Sequence, residues 1–362
     1  SRPAHLVLAE LLAATAREVL AQPEIAALER AWRGLKLLAD QLPADGSIVL
    51  EVADAEPAHA LDVLELRAHG GAGERPDAVL WLGDVRDEAR LRACAARAEA
   101  LEAVCVVGFD PALCGSERLD DVRRDREGGP GRKLAQLLAD ESMRWLCLAA
   151  NPVLVHAEPG GDERGPAAKS GGDPRRVFAS PVLGLAALLT AAQRERGRFS
   201  RLLAPELLLR APTFWIPSKG PDAGMALPTL EFCSVRAQHE LAALGITALG
   251  STRRGDELLA SAAPTAFTGP SAQSLPAQLL IGRVVREVRA LLDSLPAQAD
   301  DALLQERLRA LCSAPLAPGL GSAVALDARV EQPKNGRCVR VEARADKSDA
   351  ITPFEIGFTL GA

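Results

Sequence analysis

The residues of this 362-residue chain from which chemistry could be built are five histidines, seven cysteines and two glycine-rich turns. His156 closes an apolar stretch and precedes Glu158, while Asp84 and Asp110 each end an apparent strand, where α/β enzymes place acids. Together these three residues outline an acid–base site. Acids just after a strand also begin helices as N-caps, and that is the favoured reading of both aspartates. The other histidines, His5, His59, His69 and His239, give no H-x-x-x-H pair for a helical metal site. Cys94, Cys105, Cys114, Cys147, Cys233, Cys312 and Cys338 form no C-x-x-C pair, and their number is odd. Several sit in apolar runs such as VCVV and WLCLAA, as small buried hydrophobes of a reducing compartment do.

The glycine turns are no stronger. Gly128-Gly129-Pro130-Gly131-Arg132-Lys133 lacks the spacing of a phosphate loop and the hydroxyl residue after lysine. Gly319-Leu320-Gly321 precedes an alternating strand, whereas a dinucleotide fingerprint opens a helix. The residues thus predict no catalytic site, no metal site and no cofactor.

The elements that would carry any site are easier to read. A 48% hydrophobic and 25% charged composition fits a globular α/β chain, and the net charge of −6 argues against a general nucleic-acid binder. No apolar run is long enough for a membrane helix and the opening residues lack a signal-peptide pattern, so a cytoplasmic location is expected. Helices are predicted over residues 6–20 and 24–42, then strands over 47–52 (SIVLEV), 78–82 and 103–109 around a helix at 86–101. A strand broken at Asn151-Pro152, a glycine-rich loop at 157–174 and a helix over 175–196 follow. Beyond these come a strand at 228–235, a helix ending at Gly245, a short strand at 246–249 and helices over 274–294 and 299–312. Residues 321–331, 337–345 and 352–360 alternate apolar and polar side chains, as surface strands do. In the opening helix Ile25, Leu28, Trp32 and Leu35 recur at helical spacing and are predicted to pack on the sheet. On that reading Trp32→Ala costs about 3–5 kcal/mol.

Six segments in this order resemble the large subunit of the type VI secretion contractile sheath. They are PEIAALERAWRGL from Pro23, DAVLWLGD from Asp77 and ESMRW from Glu141, then LPTLEFCSVRAQHELAALG from Leu227, LPAQLLIGR from Leu275 and LDARVE from Leu326. The chain departs from the family where Cys147 replaces a glycine and Leu230 and Val235 replace acids, and it has neither the R-P-H motif nor any tyrosine. It reads as a divergent, shortened member.

The resemblance implies an α/β fold: a sheath-subunit-like core with a mixed sheet flanked by helices, plus C-terminal strands for pairing between subunits. It suggests an N-terminal helical segment over 1–45, the core over 46–320 and an assembly element over 321–362. The implied function is structural: a non-enzymatic subunit that polymerises helically around an inner tube and ejects it on contraction. The implied partners are a small sheath subunit, further copies of the chain, the inner tube and a baseplate, with no nucleic acid and no membrane insertion. Val339, Val341, Phe354, Ile356 and Phe358 are the expected interface residues. The alternatives are an enzyme with a site near the strand ends, or a baseplate or scaffold component of the same fold.

Overall fold

The computed structural model of the chain describes residues 3–56, 59–68, 75–83, 85–124, 131–158, 175–216, 224–252, 255–296, 300–313, 324–332, 337–345 and 351–360. Its helices are α1 (Ala4–Leu20), α2 (Pro23–Ala39), α3 (Ala60–Ala68), α4 (Glu88–Leu101), α5 (Leu119–Arg124), α6 (Gly131–Leu138), α7 (Pro181–Arg196), α8 (Val235–Ala242), α9 (Leu275–Ser294) and α10 (Asp301–Ser313). Its strands are β1 (Ala78–Trp81), β2 (Val104–Gly108), β3 (Leu146–Ala150), β4 (Val153–Ala157), β5 (Arg176–Ala179), β6 (Leu209–Arg210), β7 (Phe214–Trp215), β8 (Ala226–Leu227), β9 (Ile246–Ala248), β10 (Gly250–Ser251), β11 (Glu257–Leu259), β12 (Val324–Glu331), β13 (Arg337–Ala345) and β14 (Phe354–Leu360).

The continuous apolar runs VCVV and LCLAA become the central strands of a parallel sheet of order β1-β2-β3-β9. Runs of this kind suit strands covered on both faces. Alternation splits them between two cores: Cys105, Val107, Leu146 and Leu148 face one, while Val104, Val106, Cys147 and Ala149 face the other. The first core is completed by α4, α6 and α8, and the second by α7 with the end of α2. The α/β class expected from the sequence is therefore the class observed.

Asn151 ends β3 with a φ of 75° and is 1% exposed. Its Nδ2 donates to the carbonyls of Glu231 and Leu249, both at 2.8 Å, and its Oδ1 accepts from the Glu231 N–H at 3.0 Å. This one side chain ties the segment before α8 to the end of the sheet. That segment, predicted as a strand over 228–235, is not one: Thr229 makes a single bridge to Val153, and Ser234 caps α8. The helix predicted over 175–196 begins only at Pro181, after β5, because Ser180 is a helix cap and proline suits the first turn.

The main correction lies in α2. Trp32 is 62% exposed, Leu28 58% and Ile25 37%, so the apolar ridge expected in the core faces outward; Leu35 alone of that set is partly buried. The helix instead turns Gly34 and Leu38 inward. A Cβ on Gly34 would stand 2.6 Å from Leu183 Cδ1 and 2.8 Å from Ala179 Cβ, so glycine permits a helix contact that any side chain would hold apart. Elsewhere around the helix an ion pair joins Glu29 to Arg175, and it holds the Glu29 carboxyl down at about 2. Close approach and ion pairing set the rotation of α2 here, and periodicity alone could not show it.

A third core joins α9 and α10 to the antiparallel meander β12-β13-β14. These two helices, expected within the central unit, thus share their packing with the C-terminal strands. Helix α9 also reaches the parallel sheet. A Cβ on Gly282 would lie 2.4 Å from the Glu102 carbonyl, and Arg286, 3% exposed, donates to that carbonyl at 2.7 Å and pairs with Asp77. The C-terminal layer is thereby fixed to the central one.

Candidate functional site

Of the proposed acid–base residues, the structure describes His156 and Asp110. Asp110 caps the short 3-10 helix Pro111–Cys114, its Oδ1 accepting from the Ala112 N–H at 2.9 Å. His156 lies in β4 opposite Val177, and among the described residues no hydrogen bond joins it to Asp110. Asp84 lies outside the described residues, as do His69, residues 128–130 of the first glycine turn (Gly131 begins α6), the second turn and the loop at 159–174. Among the described residues no group of three His, Cys, Asp or Glu side chains is placed to hold a metal ion.

A cavity of about 230 Å³ is lined by Arg118, Asp120, Arg123, Glu231, Cys233 and Ser234. Its charges are spent on one another: Arg118 pairs with Glu231 at 3.3 Å, and Arg123 with Asp120 and Glu240. Burial pushes the Cys233 thiol up to about 12, which leaves it protonated and a poor nucleophile at neutral pH. Cys147, whose place in the family is a glycine, is buried beside Thr247 and pushed up to about 12 for the same reason.

The residues carrying the family resemblance act in folding. Ser274 and Pro276 start α9, Ser234 starts α8, and Asp140 caps the 3-10 helix Glu141–Trp145. Arg144 lies over the Phe267 ring at 5.4 Å, and Arg283 pairs with Asp77 at 3.2 Å. Of these, Ser234 also lines the cavity above.

The C-terminal meander is a surface with an open strand edge among the described residues. Its register runs unbroken from Val324↔Ala345 to Glu331↔Cys338 and from Arg337↔Leu360 to Ala343↔Phe354. Val339 and Val341 are fully buried, Phe358 is 9% exposed, and Phe354 and Ile356 are partly buried against the third core. Within the chain these five expected interface residues thus pack against the third core and hold the strands in place. The opposite face carries Arg340, Glu342 and Arg344, with Glu355, Gly357 and Thr359 exposed on β14. Arg340 pairs with Glu331 at 3.1 Å and also with Glu355 at 2.5 Å, so one guanidinium spans all three strands. Among the described residues nothing pairs with the outer edge of β14.

No family model and no curated protein matches the chain. Solved structures similar to it include a sheath tail protein from Desulfitobacterium hafniense, at 12% identity and a TM-score of 0.41, matching 85% of this chain and 61% of that one. A sheath tail protein from Listeria innocua matches at 12% identity and 0.41, over 80% and 58%. The baseplate structure of an anti-feeding prophage matches at 12% identity and 0.40, over 85% and 82%. The chain thus spans about three-fifths of the length of the two tail proteins.

Proposed function

We propose that this chain is a structural subunit of a contractile-sheath type of assembly, similar to the large sheath subunit of type VI secretion. The observation that carries the reading is the C-terminal meander. It is a charged-faced sheet, anchored to the α/β layers through α9, whose last strand has an unpaired edge among the described residues. Such an edge is a liability in a protein that acts alone and an attachment point in one that assembles. The order of the six family-like segments supports the same reading.

On this reading work comes from a collective shift between two packings of the subunits, and no bond is made or broken. The partners would be a small sheath subunit, further copies, an inner tube and a baseplate. The test is deletion of residues 352–362, read by sedimentation together with far-ultraviolet circular dichroism. Loss of sedimenting polymer with the helical signal kept is the expected result. Unchanged polymer places the linkage elsewhere.

A further inference from the structure

Glu102 is a costly way to end a helix. It caps α4 in the left-handed region, with a φ of 56°, where glycine carries no steric penalty. Among the described residues Asn151 is the only other non-glycine with a positive φ, and asparagine tolerates that region better than glutamate does. The Glu102 side chain is also only 5% exposed, so a carboxylate has been taken out of water. Ending a helix requires neither cost, and backbone strain collects where a residue has a second task.

That task lies in what Glu102 touches. Its carboxylate pairs with Arg289 of α9 and lies 3.6 Å from Arg75, which precedes β1. Among the described residues no backbone N–H or hydroxyl donates to it, so the two arginines hold it by charge. Its carbonyl accepts from Arg286 at 2.7 Å, and Arg286 and Arg283 both pair with Asp77. Glu287 pairs in turn with Arg283 at 3.2 Å. Residues 283–289 of α9 therefore meet the starts of β1 and β2 through arginines and acids. The first turns of the helix differ: Leu275 is buried in the second core and Leu279 packs against it, next to the Ser274 cap. Ala277, Leu280, Val284 and Val288 face the third core, which carries the meander, and Ile281 touches the first core as well. Helix α9 is thus held by apolar packing at its start and by charge further along. A buried ion pair adds little net stability over apolar packing, and its best-attested use is to fix one arrangement among several.

We infer that Glu102 is a latch: its charge holds residues 283–289 on the sheet, and without it α9 pivots about Leu275 and Leu279 and swings the C-terminal layer outward as one body. In an assembly the same pivot sets the angle at which the meander is presented. The latch itself belongs to the single chain, so it stands or falls apart from the assembly reading. Spin labels at Ala96→Cys on α4 and Thr359→Cys on β14, both exposed positions, are placed in the full chain carrying Cys312→Ser and Cys338→Ser, and pulsed electron resonance is run on dilute protein. This parent should give one narrow distance distribution. Glu102→Gln removes the charge, keeps the shape, and should widen the distribution at least twofold toward longer distances, with hydrogen exchange of β13 unchanged. Glu102→Gly removes the charge and relieves the backbone, and should widen it likewise. Arg289 is 61% exposed, so Arg289→Gln should widen it in a folded chain even where Glu102→Gln fails to fold. A distribution as narrow as the parent's in a folded Glu102→Gln or Arg289→Gln overturns the inference. A narrow Glu102→Gly leaves Glu102 as a helix end alone and overturns it too. Loss of β13 protection means melting of the third core in place of motion as a body, and a parent already as broad as the variants means no latch; either result ends the inference. Sedimentation of the unlabelled wild-type chain reports on assembly separately.

Discussion

Two neighbouring residues of α2 test how that helix is seated. Trp32 leaves 62% of its surface in water, so about 38% of roughly 250 Å² is covered. At about 25 cal/mol per Å² that is worth about 2.4 kcal/mol. A compact unfolded chain already hides part of that area. Alanine also regains about 0.5 kcal/mol of helix propensity. Trp32→Ala should therefore cost about 1 kcal/mol, well below the 3–5 expected of a core tryptophan. Two positions on, Gly34→Val places its Cβ 2.6 Å from Leu183 Cδ1 and 2.8 Å from Ala179 Cβ. Overpacking of this kind costs about 1–3 kcal/mol. Valine regains only about 0.4 kcal/mol of helix propensity over glycine. The net loss should be about 2 kcal/mol. Urea unfolding of dilute protein, followed by circular dichroism, gives both values. A larger loss for Trp32→Ala than for Gly34→Val would refute the described rotation of α2.

Other expectations follow from single sites. Asn151→Ala removes three buried hydrogen bonds and keeps an unfavourable positive φ, so it should cost about 2–4 kcal/mol by urea unfolding. The Glu29 carboxyl sits at about 2, below its ordinary value of 4.5, so its stabilisation is full above pH 4.5 and is lost as pH falls toward 2. Glu29→Gln should flatten that stretch of the stability–pH curve by about 1 kcal/mol, after solvent screening of the pair. Burial raises the thiols of Cys94, Cys105, Cys147 and Cys233, and Cys114 is buried as well. Partial burial raises the Cys312 thiol too, so a colorimetric thiol reagent at pH 8 should react with Cys338 first, with Cys312 more slowly, and with the buried five only once the protein is unfolded.

The parts of the fold legible in the sequence were those with one dominant cause. Continuous apolar runs marked β2 and β3, and strict alternation marked β12, β13 and β14, because burial on two faces or one leaves those patterns directly. Asp110 was legible as a cap from its place after a strand. Less was legible where the cause was a long-range contact. The outward turn of Trp32 depends on the approach of Gly34 to Leu183, and the strand expected at 47–52 is not formed, since among the described residues no backbone–backbone hydrogen bond engages positions 48–55. The short strands β6, β7, β8, β10 and β11 are too brief to carry a period. In the C-terminal meander, alternation located the strands and their faces. It could not show that Val339 and Val341 would be spent internally, nor that the Gln305 amide would donate to the Ala328 carbonyl of β12.

The central claim, that the chain is an assembling sheath-type subunit, is tested most directly by electron microscopy of the purified chain, alone and with a candidate small sheath subunit. Hollow tubes with helical layer lines in which this chain repeats are the predicted result. Discrete particles under every condition, without helical order, would contradict it.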